Sequence, residues 1–402
     1  MRSDPQRLTV LCLASEEKGH AFIRECHRQG CRVLLVTRQA LAGAGWPREA
    51  IDEIFFMPSL LQSDDLLKGV SYLARSRVID RIVPLDDFDL EAAALIREHL
   101  RIPGMGQTTT RYFRDKLAMR MGAQEAGILV PEFVHAANDA AVHEFLQGVR
   151  SPWVLKPRGE AGSAGIKKVH DAAEVWARLE QLGDDRSFYL IERFVPGDIF
   201  HFDAVVSERE VAFEVAHQYG RPPMEVVTGG GLFSTRTLRH DSEEAKAMGA
   251  LARELYAALG FVRGVAHTEF IRARDDGRFY FLETAARAGG AHIVDVVEAA
   301  TGVNLHAELA KIEIGGGNVP YSPPPHRREY AGIVLSLARE EWPDTSAYDD
   351  PEIVMRIRRP YHAGLIVASP DAARVEQLLE SYSRRFLADF AATQPYPETL
   401  RR

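Results

Sequence analysis

The sequence predicts a chain of mixed class, α/β in its first part and α+β beyond it. Three observations carry that prediction. Apolar, strand-like runs alternate with amphipathic helical stretches over 1–107, the rhythm of a mostly parallel sheet with helices on its faces. Residues 130–315 are instead rich in strands and hairpins, and a glycine- and proline-rich connector then leads into strands and one amphipathic helix. At 402 residues, with 46% hydrophobic and 26% charged side chains, the chain has room for two to four domains of ordinary globular composition.

In order, strands are expected at 8–14, 32–37, 53–57 and 79–85, with helices over 16–29, 64–75 and 89–99. The first strand is too short and lacks the cleavage site for a secretory signal, and nothing approaches the length of a membrane span. The turn after it, Ser15-Glu16-Glu17-Lys18-Gly19, lacks the dinucleotide glycines, which argues against NAD. A net charge of −8 without a long basic run argues against nucleic acid. Cys12, Cys26 and Cys31 form neither a C-x-x-C pair nor an even set, so they read as free thiols of a reducing compartment, the cytoplasm. A helix is expected over 108–126, with Asp115-Lys116 inside it, ending at Gly127 ahead of Pro131. Beyond the connector, strands at 330–337 and 364–368 precede a helix whose Val375, Leu378, Leu379, Tyr382, Phe386 and Phe390 form a core stripe.

The chemistry begins at Lys156. It closes the apolar run Trp153-Val154-Leu155 and opens a loop in which Gly159, Gly162 and Gly165 recur at every third position. Bare backbone can turn its N–H groups inward around a polyphosphate, and the lysine adds a point charge. Neither common glycine loop has this order, because a Walker loop places its lysine after the glycines and the dinucleotide loop opens a helix. Residues 166–169, next along the chain, are a short β-like run, so the loop is expected to be a flap between two strands; a simple hairpin tip is the alternative. A helix should start just after that run, with Asp171 as N-cap and Glu174 in a capping box.

A second constellation runs from Gly264 to Arg287, two β-rich runs around Asp275-Asp276-Gly277. A three-residue loop with Gly277 left-handed would pair Arg274 with Arg278 and set Glu269 opposite Glu283, about 5 Å apart at Cβ. Opposed carboxylates call for a cation, and Mg²⁺ suits one or two carboxylates plus phosphate oxygens. A two-residue turn would instead send the glutamates to opposite faces.

Taken together, these segments resemble the ATP-grasp enzymes from about 113 to 305, and more loosely throughout. The likeness lies in an ordered set: Asp115-Lys116 ahead of Ala126-Gly127-Ile128-Leu129-Val130-Pro131, Val154-Leu155-Lys156-Pro157 with its flap, Ile191-Glu192-Arg193-Phe194-Val195-Pro196-Gly197, His267-Thr268-Glu269-Phe270, and Leu282-Glu283-Thr284-Ala285-Ala286-Arg287. The resemblance implies an ATP-grasp fold with an N-terminal Rossmann-like pre-ATP-grasp domain (1–107) and a small lid region carrying the flap (108–195). It further implies a larger mixed-sheet lobe holding metal and substrate (196–314), a linker (315–328) and a C-terminal α+β subdomain (329–402). It implies ATP with Mg²⁺, or Mn²⁺ in its place, as cofactors. Lys116, Lys156, Gly162, Ser163, Ala164 and Gly165 would meet the phosphates, Glu192, Arg193, Phe194 and Val195 the adenine, and Asp198 the ribose. Glu269 and Glu283 would hold the metal, and Arg287 with Lys156 would steady the transferring phosphoryl group. Apart from the resemblance, Gly289 and Gly290 lead into a helix start that can receive an anionic group, with a tight turn as the alternative. Arg236 with the 228–233 loop is expected to edge the substrate pocket, with a plain connector as the alternative. His267 and Arg287 would edge the substrate as well.

The departure is Ala285, where many relatives have a metal-binding Asn; it puts the second metal position in doubt. The implied activity is ATP-dependent carboxylate–amine ligation through an acyl phosphate, closest to the L-amino acid ligases. The implied partners are a small carboxylate and an amine, no nucleic acid and no membrane, and a homodimer is compatible. A biotin-carboxylase-like enzyme and a non-catalytic ATP-binding module are the alternatives.

Overall fold

The computed structural model describes residues 7–229 and 231–392. Its first layer is the parallel sheet β3-β2-β1-β4, built from β1 (Thr9–Ala14), β2 (Arg32–Arg38), β3 (Glu53–Met57) and β4 (Arg81–Pro84). β1 is buried along its whole length, which is why it reads as a continuous apolar run. Its alternate residues serve two cores: Val10 and Cys12 pack with helix His20–Arg28, while Leu11 and Leu13 pack towards helices Ser63–Ala74 and Leu90–Leu100. The first helix starts at His20 rather than 16, because Gly19 takes a left-handed conformation (φ 76°) that helix residues do not adopt.

A small antiparallel sheet, order β5-β8-β6-β7, comes next, formed by β5 (Phe133–His135), β6 (Trp153–Pro157), β7 (Lys167–Val169) and β8 (Tyr189–Arg193). Helices Asp139–Gly148 and Ala172–Leu182 cover it through Val142, Phe145, Val175 and Leu179. Asp171 accepts a hydrogen bond from Glu174 N at 2.8 Å, and Glu174 Oε2 accepts one from His170 N at 3.1 Å, so the expected capping box forms one residue wide of its usual return contact.

The third sheet has eight antiparallel strands in the order β13-β12-β9-β10-β11-β14-β16-β15. These are β9 (Gly197–Ser207), β10 (Glu210–Tyr219), β11 (Leu232–Thr237), β12 (Gly264–Ala273), β13 (Phe279–Ala285), β14 (Tyr330–Leu337), β15 (Ile353–Arg359) and β16 (His362–Ser369). The sheet continues across the 315–328 connector, and β15 and helix Leu305–Gly315 are elements the sequence pattern did not reveal. The stripe from Val375 to Phe386 is buried as expected on helix Ala372–Asp389, and Phe390, buried too, is the residue that caps it. Thr228 and Gly229 of the expected 228–233 loop close helix Pro223–Gly229, Leu232 and Phe233 open β11, and Gly230 lies outside the described residues. Among the described residues no helix is long and apolar enough to cross a membrane.

Two local corrections shape the site. The helix expected over 108–126 is broken into Gln107–Arg111 and Lys116–Glu125, because Asp115 leaves the helical region and accepts a hydrogen bond from Leu117 N at 2.9 Å as an N-cap. Lys116 therefore begins a helix instead of lying within one. The hairpin loop is also longer than expected. Ala273, not Arg274, pairs with Arg278, leaving a four-residue turn that ends on Gly277 at φ 70°. Continued regularly, that register would set Glu269 against Leu282. A β-bulge after Phe281 inserts Leu282 as an extra residue and restores the Glu269–Glu283 pair.

Candidate ATP and metal site

Lys156 is the penultimate residue of the buried strand β6, and the flap beyond it returns as β7 with Leu155 opposite Lys167. Gly162, Ser163 and Gly165 all have positive φ, between 59° and 70°, so the glycine spacing serves the backbone path. Lys156 Nζ lies 2.6 Å from Glu192 Oε2, and the fully buried Arg120 reaches the other oxygen of Glu192 at 2.7 Å. Burial favours the neutral carboxyl at Glu192, but Arg120 and Lys156 outweigh it and hold it below the carboxylate range. Burial and Arg120 push the Lys156 ammonium down to about 8 against the pull of Glu192.

Lys116 is held to the same sheet by its backbone, whose N–H donates to Arg158 O at 2.9 Å. Its Nζ donates to Glu160 O at 2.6 Å and lies 2.9 Å from Glu283 Oε2. Burial favours a neutral Glu283, yet Lys116 and then Lys156 override this and hold its pKa down. Glu269, directly opposite in the ladder, accepts a hydrogen bond from the Tyr219 hydroxyl at 2.7 Å. Lys116, Lys156, Ser163, Glu269 and Glu283 face one cavity of about 320 Å³, whose apolar wall includes Val154, Phe194, Ile199 and Leu282. Paired lysines and carboxylates on one cavity that also has an apolar wall match a nucleotide polyphosphate, its cation and its base.

No protein-family model matches the sequence. The chain is 22% identical over 244 residues to the L-arginine-specific L-amino acid ligase of Bacillus subtilis, and the match spans 58% of this chain and 58% of that protein's length. It superposes on the crystal structure of L-amino acid ligase from Bacillus licheniformis with a TM-score of 0.74 at 20% identity, covering 97% of this chain and 100% of that one. The chain has the ATP-grasp fold. The biotin carboxylase domain of a 2-oxoglutarate carboxylase from Hydrogenobacter thermophilus, solved with MgADP and bicarbonate, is also similar, with a TM-score of 0.68 at 16% identity over 95% of this chain and 90% of that one.

Within this ATP-grasp frame the expected residues divide. Glu192, Arg193, Phe194 and Val195 line the cavity, although the Glu192 carboxylate is spent on Arg120 and Lys156 and is not open to a base. Of the four flap residues expected at the phosphates, Ser163 lines the cavity; Gly162, Ala164 and Gly165 do not. Asp198 falls outside it, exposed and 3.4 Å from Arg274, because its place on β9 turns it away from Ile199. Arg236 lines a different cavity beside helix Ala372–Asp389, held by Gln218 at 3.0 Å and Glu376 at 3.3 Å. Arg287 sits at the boundary with the parallel sheet, 3.5 Å from Asp87. Gly289 and Gly290 precede helix Ile293–Thr301 and lie off the cavity.

His267 is buried, and its Nδ1–H donates to Asp203 Oδ1 at 2.9 Å. Burial alone would lower its pKa, but Asp203 raises it to about 9. Residues that the motifs missed are Arg120, Lys168, Asp203 and Tyr219. Lys168 had one usable signal: in the pair Lys167-Lys168 on a strand, one side chain must face the sheet side of Lys156, and Lys168, opposite Val154, is that one.

Proposed function

We propose that the protein is an ATP-dependent carboxylate–amine ligase, forming an amide or peptide bond on an amino acid or small carboxylic acid and releasing ADP and phosphate. The observation that carries this reading is the convergence of Lys116, Lys156 and the Glu269–Glu283 pair on one cavity. Opposed carboxylates on adjacent strands are unfavourable alone and fit a divalent cation. Mg²⁺ held there would draw charge from the phosphate oxygens of ATP. A substrate carboxylate oxygen attacks the γ-phosphorus as the bond to ADP breaks. The amine nitrogen then attacks the carbonyl carbon of the acyl phosphate, expelling phosphate and losing a proton. Lys116 and Lys156 supply fixed positive charge through the first step, and the flap excludes water from the activated acid. Arg287, beside Asp87, receives the acyl phosphate at the boundary of the two sheets.

The same reading divides the chain into a pre-ATP-grasp domain (1–107), a lid (108–195), a metal and substrate lobe (196–314), a linker (315–328) and a C-terminal subdomain (329–402). Three free, buried cysteines suit a reducing compartment that supplies ATP, the cytoplasm.

The carboxylase-like fold match supports a second reading in which bicarbonate is the activated acid. Incubation with ATP, Mg²⁺ and pooled amino acids, read by phosphate release and mass spectrometry, should yield amide products. Phosphate release that requires bicarbonate would move the assignment to a carboxylase. ATP binding without turnover across a broad acid and amine panel would leave a binding module. Glu283→Gln should lower turnover by about a hundredfold or more while the thermal midpoint stays within roughly 3 °C; retained activity would sink the role of the pair.

A further inference from the structure

Ala285 cannot coordinate a cation, and the residue directly opposite it in the β12–β13 ladder is His267. The gap left by the short side chain on one strand is thus faced by an imidazole on the other. The ring is tightly placed. Asp203, its partner across the β9–β12 ladder, accepts the Nδ1–H at 2.9 Å, and the second oxygen of Asp203 accepts Nδ1–H of His201 at 2.7 Å. Asp203 is held well below the carboxylate range by these histidines despite its burial, so it accepts from both. A Cβ at Gly289 would come within 3.0 Å of His267 Nδ1 and 2.9 Å of Ile293, so the backbone packs against the ring on that side.

With Nδ1 committed to Asp203, the nitrogen left to serve a ligand is Nε2, which lies 3.6 Å from Glu269 Oε1. That is longer than a hydrogen bond. Nε2 gives up its proton to solvent when a cation takes that place. Two donors on one cation, each about 2.1 Å away and about 90–110° apart, sit roughly 3.0–3.4 Å from one another. The separation is therefore close to a ligand–ligand edge. A carboxylate behind one ring nitrogen with the other nitrogen facing a cation is also the usual support of a metal-binding histidine. The buried trio His201, Asp203 and His267 is the candidate metal-ligand cluster among the described residues, but both Nδ1 atoms are spent on Asp203 and His201 Nε2 on Thr235 Oγ1 at 2.7 Å, which leaves His267 Nε2, beside Glu269.

We propose that His267 Nε2, oriented by Asp203, binds a second cation together with Glu269 in place of the amide ligand that Ala285 lacks, and that a nitrogen donor there selects a divalent transition-metal ion over Mg²⁺. The proposal rests on the reading of Glu269 and Glu283 as the cation-binding pair. Asp203 is then a positioning residue.

Pulsed EPR of the full chain with Mn²⁺ and ADP tests it. The expected result is a ¹⁴N modulation that becomes ¹⁵N when only histidine is ¹⁵N-labelled and disappears in His267→Gln, with bound Mn²⁺ falling from two ions to one. Asp203→Asn should keep the ring and weaken the second ion about 10–100-fold. Thermal melts of both variants establish that they fold. Mn²⁺ binding that Glu283→Gln removes but that shows no histidine coupling would overturn the His267 assignment and leave the carboxylate pair standing. No Mn²⁺ binding in the presence of ADP would overturn both.

Discussion

At the scale of single residues, Lys156 stands between opposed electrostatic pulls. It is buried beside both a cation, Arg120, and an anion, Glu192, and its pKa falls to about 8. Below that value it carries the charge a phosphate needs. Above it, binding an anion must first recover a proton, so the sign of the effect is fixed: ATP affinity should be flat up to about pH 8 and then weaken, approaching tenfold per pH unit. Calorimetric titrations from about pH 6.5 to 9.5 would measure this, and Lys156→Met should bind more weakly with the slope removed. An unchanged slope in that variant would assign the titration to another group. Lys156 was legible in the sequence because it is local: the lysine and the spaced glycines of its loop are neighbours along the chain. Arg120, Asp203 and Tyr219 were not, because each is a lone residue whose partner, Glu192, His267 or Glu269, is distant along the chain and adjacent only across the folded sheets.

The same contrast holds for elements, with a different cause. Strands of the parallel sheet and the C-terminal helix were readable because burial on both faces or on one stripe leaves a periodic apolar pattern. Helix Leu305–Gly315 was hidden because apolar residues stand on opposite faces, Leu305, Leu309 and Ile312 on one and Ala307 and Ile314 on the other, which blurs the stripe. The Glu269–Glu283 pairing was anticipated from a turn that the protein does not use. The longer turn and the Leu282 bulge are two deviations that cancel, and local turn residues could not disclose the second. The flap is the element whose conformation was most directly written, since Gly162 and Gly165 both require positive φ. Gly165→Val would force a β-branched residue to φ 70°, a strain of about 1–3 kcal/mol. Because this loop lies outside the core clusters, the expected signature is a several-fold rise in KM for ATP with a thermal midpoint little changed. A large loss of stability with KM intact would make the flap a structural turn.

For the whole molecule, helix Lys116–Glu125 joins the two sheets that enclose the cavity. Arg120 pairs with Glu192 on β8 and donates to Leu282 O at the bulge of β13, while Lys116 ties Glu160 O of the flap to Glu283. The carboxylates Glu192 and Glu283 act as counter-ions to the very lysines that would face phosphate. Nucleotide binding would exchange those internal partners for phosphate oxygens and release Glu283 towards a cation, so closure and cation binding are coupled through Lys116. A ligand at a hundred times its Kd stabilises the folded state by about 2.7 kcal/mol. For a chain of 402 residues that corresponds to a rise of roughly 3 °C in the unfolding midpoint. ADP with Mg²⁺ should produce that rise and slow hydrogen exchange over both 158–166 and 193–197, since the flap and the apolar wall close on the same ligand. Glu283→Gln should keep much of the protection by nucleotide alone but lose the added effect of Mg²⁺, because Lys116 and Lys156 remain while the carboxylate pair is broken. Protection confined to one of the two segments would mean that the cavity binds nucleotide without the lid closing, and an undiminished Mg²⁺ effect in the variant would separate cation binding from Glu283.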